Sequence, residues 1–240
     1  MVISGHNLAF LEAFLEEIGH RYLNMVVDHA GLAVPSAYCS YRVSVTPSES
    51  VVLIDGANSF NPYHVTHYSR LMGVDERRVM RRIKLSRAFT CHQMSALLGE
   101  RLKSAVERFG AGTVIISDPT YIYVERSADE DVMEEFISAQ QRLLDITYSR
   151  RLTTLVVHSG HVPRFLDGGA LEDGRRERAA RSSERVLFGL SDSVYRLEEV
   201  QGGFSATRVK HPLLPRGPSH FIPAGSRTMT LDEVLQGMVS

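Results

Sequence analysis

Residues 51–60 read Val51-Val52-Leu53-Ile54-Asp55-Gly56-Ala57-Asn58-Ser59-Phe60. Four consecutive apolar residues close on an acid, and a glycine follows. A strand buried on both faces of a parallel sheet has this pattern, because neither face alternates with polar side chains. Asn61-Pro62 comes next, with Asn suited to cap a helix and Pro to its first position. Strand, turn and helix therefore follow in direct succession.

The pattern recurs downstream. Asp75 caps a short helix that carries Val79 and Met80, and Ile83 to Phe89 predicts a second strand. Thr90-Cys91-His92-Gln93 fits a capping box and opens a helix with Met94, Leu98, Leu102, Val106 and Phe109 on one face. Thr113-Val114-Ile115-Ile116-Ser117-Asp118 predicts the third buried strand. A second capping box, Ser127 to Glu130, leads a helix with Val132, Phe136, Ala139 and Leu143 facing inward. Thr153 to His158 predicts the fourth buried strand. Strands alternating with helices of this length imply an α/β fold, a mostly parallel central sheet with helices on both faces. Ser193–Glu198, Ser205–Lys210 and His220–Ile222, with Gly202-Gly203 as a turn, predict antiparallel C-terminal strands at its edge.

Upstream of Val51 the pattern is less regular. Leu8, Leu11, Leu15, Ile18 and Tyr22 recur at helical spacing and predict a helix over 8–29. Residues 30–49, with Pro35 and Pro47, read as loop with a short extended piece. No internal repeat or linker divides the chain. The expectation is one domain over 1–240, with a divergent N-terminal part at 1–49 and a flexible Arg-rich loop at 163–185.

Composition narrows the function classes. The chain has 240 residues, 43% of them hydrophobic, and 27 basic side chains against 28 acidic ones. A formal charge of −1 excludes a polycation, so nucleic-acid binding would need a local patch. Lysine occurs only at Lys84, Lys103 and Lys210; every other basic side chain is Arg. Cys39 and Cys91 do not make a disulfide scaffold, which points to a reducing cytoplasm. No apolar run has the ~20 residues needed to span a bilayer, so no membrane partner is expected.

In open α/β sheets ligands bind at the carboxyl ends of the strands. Those ends carry Asp55, Asp118 and His158-Ser159-Gly160-His161. An Asp after an apolar strand, as at Asp118, suits a Mg²⁺ ion beside a triphosphate, and equally suits a structural cap. His64-x-x-His67 and His158-x-x-His161 have a spacing that two metal ligands can use, but no acid or thiol completes either set; packed or surface histidines are the simpler reading. Cys91-His92 does not form a nucleophile–base pair, because adjacent helical residues point in different directions.

The order of the segments carries more than any one of them. VVLIDGANSF at 51–60 is followed by KLSRAFTCHQ at 84–93, TVIISD at 113–118 and LVVHS at 155–159. The tail from Val194 to Pro223 reads VYRLEEVQGGFSATRVKHPLLPRGPSHFIP. This series resembles the core of the RecA/RadA recombinase-type ATPases over roughly residues 50–225. The resemblance implies a nucleotide site in which Asp118 and Asp55 are the retained acidic positions.

Several of the family's catalytic parts are absent. A P-loop needs Gly-Lys followed by Ser or Thr, so that backbone N–H groups and the Lys hold the phosphates. No Lys here follows a Gly. The one upstream candidate, Ile3-Ser4-Gly5-His6-Asn7, has no Lys. The family's water-positioning acid aligns with Ala57, and its γ-phosphate sensor with Ser159 or Gly160. Losing these groups together removes positioning and charge stabilisation. The expectation is a degenerate paralogue without catalytic residues, which binds ATP with Mg²⁺ weakly at most.

Such a copy can still offer an interface to an active RecA/RadA-type ATPase subunit or to itself, as a scaffold or regulatory partner in DNA recombination or repair. The alternatives are a single-stranded DNA-binding module and a weak ATPase completed by a partner subunit. The family's mobile DNA-contacting loops align with Tyr121–Arg126 and with 163–185. Arg126, Arg164, Arg175, Arg176, Arg178 and Arg181 are the candidate contacts to single-stranded DNA, since Arg neutralises phosphates and stacks on bases. Glu172, Asp173, Glu177 and Glu184 offset much of that charge, as a solvated loop would have it. Phe10-Leu11-Glu12-Ala13 matches the F-x-x-A pattern by which recombinases link subunits, but its place in an amphipathic helix favours core packing.

Overall fold

A computed structural model describes residues 5–125, 130–159, 185–200 and 203–223. Its eight strands form one sheet: β1 (Leu23–Asp28), β2 (Ser50–Asp55), β3 (Ile83–Arg87), β4 (Ala111–Ser117), β5 (Thr153–His158), β6 (Ser193–Val200), β7 (Gly203–Lys210) and β8 (Gly217–Pro223). Their order across the sheet is β3-β2-β4-β5-β1-β6-β7-β8. The first six in that order run parallel. Only β7 and β8 are antiparallel additions, each to the strand before it.

Helices cover both faces, as expected. On one face lie α1 (Gly5–Glu17), α2 (Val34–Val45), α3 (Pro62–Leu71) and α4 (Glu76–Arg82). Their core takes Val51, Leu53, Ile115, Leu155 and Val157 from the sheet, joined by Phe10, Phe14 and Tyr38 from the helices. On the other face lie α5 (Cys91–Ala96), a π-helical turn (Leu97–Arg101), α6 (Leu102–Phe109), α7 (Tyr121–Glu125) and α8 (Glu130–Ser149). Their core takes the alternate sheet residues Val52, Ile54, Val114, Ile116 and Val156, with Met94, Leu98, Phe136 and Leu143. Period-two alternation thus splits continuous apolar strands between two cores.

The expected caps form. The Asn61 side chain accepts from Tyr63 N at 3.0 Å, and that of Asp75 from Arg77 N at 3.0 Å. The Thr90 hydroxyl accepts from Gln93 N at 3.1 Å, and the Gln93 carbonyl turns back to Phe89 N. The 127–130 capping box falls largely outside the described residues. The helix expected over 90–109 is interrupted at Gly99, whose backbone (φ −109°, ψ −123°) leaves the helical region. A Cβ there would stand 3.2 Å from Nε of Arg142 on α8, so the glycine permits a close crossing.

Two readings upstream of Val51 are corrected. The helix expected over 8–29 ends at Glu17, and residues 23–28 are strand β1, inserted between β5 and β6. The Asn24 side chain fixes the corner: it donates to the carbonyls of Gly19 and Tyr22 and to Thr154 of β5, and it accepts from Gly19 N. Residues 34–45, expected as loop, form α2, with Pro35 in its first turn. Strand β6 pairs antiparallel with β7, as expected, and on its other side pairs parallel with β1 (Val26 with Tyr195, Val27 with Arg196). That parallel neighbour, β1, lies within the span whose spacing predicts a helix.

Phe10 is buried at 6.5 Å from the ring of Phe204, so the F-x-x-A segment packs in the core. Cys39 and Cys91 are both buried and are not joined to each other by a disulfide. Among the described residues no helix is long and apolar enough to cross a membrane.

Candidate functional site

Six parallel strands place their carboxyl ends along one rim of the sheet. The α2 and α3 connections leave β1 and β2 toward one face, while the α5 and α7–α8 connections leave β3 and β4 toward the other. Such a divergence opens a crevice in which α/β proteins hold ligands. Three buried carboxylates sit on this rim: Asp28 ending β1, Asp55 ending β2 and Asp118 just past β4.

Asp55 is 0% exposed and fully committed. Its oxygens accept from Ser59 N at 3.1 Å and Phe60 N at 3.0 Å, and Arg87 Nε lies 3.3 Å away. The carboxylate closes the turn that feeds α3, and Ala57 lies inside that turn. Beside it, Gly56 is tightly enclosed. A Cβ on it would stand 2.5 Å from the Asp118 carbonyl oxygen and 2.8 Å from Met94.

Asp118 has left-handed backbone (φ 45°), a conformation that Asp tolerates better than most residues. Its Oδ1 accepts both the backbone N–H and the hydroxyl of Ser159, each at 2.8 Å, and His158 Nδ1 lies 3.4 Å from the same oxygen. The Ser117 hydroxyl reaches the other oxygen at 3.3 Å. Burial alone would raise the Asp118 pKa. The hydrogen bonds from His158 and Ser159 outweigh it and hold the carboxyl below its ordinary value.

The sequence does not single out Asp28, because helical spacing at Leu15, Ile18 and Tyr22 runs on into its strand. The stretch LNMVVD at 23–28, followed by Gly31 and Pro35, repeats the apolar-run, acid, glycine and proline signature of 51–62. Gly31 (φ 66°) and Ala33 (φ 49°) both take left-handed backbone before α2. That alternation turns successive N–H groups inward, the shape that elsewhere holds phosphate. Here it holds Asp28: Leu32 N donates to its Oδ1 at 3.2 Å. Burial raises the Asp28 pKa, against the pull of backbone N–H groups at Leu32, Val34, Gly31 and Ala30. The Tyr68 hydroxyl locks the same loop by donating to the Leu32 carbonyl. The loop that opens onto α2 from β1, an interior strand of the sheet, is residues 29–33; of the Ile3–Asn7 stretch, Ile3 and Ser4 lie outside the described residues and Gly5–Asn7 begin α1.

This donor set does not fit Mg²⁺ with a triphosphate. The Asp118 oxygens are held by protein donors, the inward N–H groups of the α2 loop face a carboxylate, and no Lys stands on either loop. Among the described residues no three His, Cys, Asp or Glu side chains gather as a metal site. His64 and His67 lie along α3. His92 pairs with Glu135 at 3.0 Å on the surface, while buried Cys91 contacts the Ile122 carbonyl, so they form no pair. His161, Gly160 and all six arginines expected to contact DNA (Arg126, Arg164, Arg175, Arg176, Arg178 and Arg181) lie outside the described residues. No protein-family model matches the chain, and no curated protein matches it.

Proposed function

We propose that the chain is a non-catalytic RecA/RadA-type subunit. It acts as a scaffold or regulatory partner of an active ATPase of that type in DNA recombination or repair. The observation that carries the reading is the Asp118 carboxylate: the acid placed to suit Mg²⁺ beside a triphosphate is spent on Ser159 and His158. Asp28 in the α2 loop supports it from the other side of the rim. A site that must bind a polyanion gains nothing from a buried carboxylate in its phosphate position.

Hydrolysis of Mg-ATP by the purified chain, compared with its Asp118→Ala variant, tests the catalytic half. The expected result is no turnover above the protein-free control. Turnover that Asp118→Ala abolishes would overturn the proposal. Gel filtration with an active RecA/RadA-type ATPase, with and without single-stranded DNA, tests the partner half. Co-elution is expected, and failure to co-elute in either condition removes the scaffold role. Retention of single-stranded DNA by the chain alone, weakened by changing Arg175, Arg176 and Arg178 to Ala, would make it a DNA-binding module instead.

A further inference from the structure

A cavity of about 370 Å³ opens on the second face of the sheet, over β1, β6 and β7. Its floor is apolar, with Val27 and Val194 contributing, and the Phe188 ring forms a wall. Its other character is cationic: Arg185, Arg196 and His29 line it, and no Asp or Glu does so among the described residues. Arg196 belongs to an interior strand. Its register partners are Val27 on β1 and Thr207 on β7, so its cation stands over an apolar surface without a carboxylate opposite. The nearest acid on the same face of β6 is Glu198, two residues on, and it does not line the cavity.

The wall is anchored. Lys210 Nζ donates to the Phe188 and Gly189 carbonyls at 3.1 and 3.2 Å and lies 5.6 Å from the Phe188 ring centroid. The ring itself stays 41% exposed. Two permanent guanidinium charges and an imidazole beside an open aromatic ring, in a cavity at the small end of ligand pockets, specify their occupant chemically. Guanidinium forks match a phosphate dianion, and the ring offers a stacking face.

We infer that this cavity binds a planar aromatic phosphate of mononucleotide size, with Arg185 and Arg196 on the phosphate and Phe188 on the ring. The site adjoins the acidic rim at His29, which follows Asp28, and needs neither Mg²⁺ nor Asp118. A free nucleotide and the 5′-terminal nucleotide of a strand share this chemistry.

Calorimetric titration of the full chain with AMP in EDTA tests it. AMP should bind, with adenosine and inorganic phosphate each at least ~10-fold weaker. Arg196→Ala and Phe188→Ala should each weaken AMP about tenfold or more, since one removes a charged clasp and the other a stacking face. Both side chains are exposed, and an unchanged circular dichroism spectrum would confirm that each variant folds. Asp118→Ala should bind AMP as the parent does, which separates this outcome from that of the proposed function. A 5′-phosphorylated oligonucleotide that binds, against the same strand without its phosphate, assigns a strand end as the natural source; binding of AMP alone assigns the free nucleotide. No AMP binding at millimolar concentration, or equal affinity in Arg196→Ala, overturns the inference.

Discussion

Asp28 and Asp118 are both buried on the rim of the sheet, yet their protonation pulls in opposite directions. The Asp118 pKa lies below its ordinary value of 3.8, so the native state binds that proton more weakly than the unfolded chain. Its contribution is complete above that value and is lost as pH falls through the depressed native one. Asp118→Asn should therefore cost about 1–3 kcal/mol near neutral pH, with the gap closing in acid. Urea midpoints of parent and variant across that range check it, and a gap that widens toward low pH would sink the assignment. Asp28 is the reverse case. Its native pKa is raised, so its contribution to stability is present below 3.8 and is lost as pH rises through the raised value. Asp28→Asn should gain on the parent over that rise, measured the same way. Gly56 has no such balance, because its missing Cβ is the space that the Asp118 carbonyl occupies. Gly56→Ala should destabilise by at least about 1–3 kcal/mol, the usual cost of overpacking, read as a lower denaturation midpoint.

At the scale of elements, the boundary of α2 holds the clearest strain. Ala33 takes φ 49° at the helix N-cap, with no side-chain cap bond of its own. Left-handed backbone costs a non-glycine residue roughly 1–2 kcal/mol, and glycine's greater freedom when unfolded returns part of that. Ala33→Gly should raise stability by up to about 1 kcal/mol, and a fall in melting temperature would refute it. The same region shows why part of the fold was hidden in the sequence. Elements with a cap and an unbroken apolar run were legible: Asn61-Pro62, Asp75 and Thr90 open α3, α4 and α5, and 51–55, 113–117 and 153–158 are strands. Leu15, Ile18 and Tyr22 carried the helical period past the true end at Glu17. The turn at Gly19–Arg21 depends on long-range bonds from Asn24 to Thr154 and from Leu23 N to Asp192, which local spacing does not encode. The candidate site suffered in proportion. Asp55 and Asp118 were found because their strands were found, and Asp28 was missed with β1.

Over the whole molecule, β1 is the strand on which the two halves of the chain meet. It pairs with β5 on one side and with β6 on the other, so residues 23–28 bind segments more than a hundred positions later. α1 follows the same logic: Phe14 packs edge-on against Tyr195, Phe10 against Phe204, and the Glu17 carboxylate takes Arg208. Contacts of such long sequence separation close late and hold only when the whole sheet is present. Cooperativity should therefore be strongest at β4, β5 and β1, each flanked by strands on both sides and buried under helices. It should be weaker at the edge strand β3, which has one neighbour and leaves Leu85 41% exposed. Native-state hydrogen exchange reads this directly. Amides of Met25, Val26, Ile115 and Val156 should exchange only through global unfolding, with the opening free energy and denaturant dependence of the entire chain. Those of β3 should exchange through smaller openings at a fraction of that free energy. If β1 amides instead opened with β3, well before β4 and β5, then β1 would be a late addition to a sheet stable without it. The rim that carries Asp28, Asp118 and His158 would then be an adjustable feature of the fold. Protection of β1 equal to that of β4 makes the rim as rigid as the core, so the carboxylate in the α2 loop is built in and not displaced at low cost.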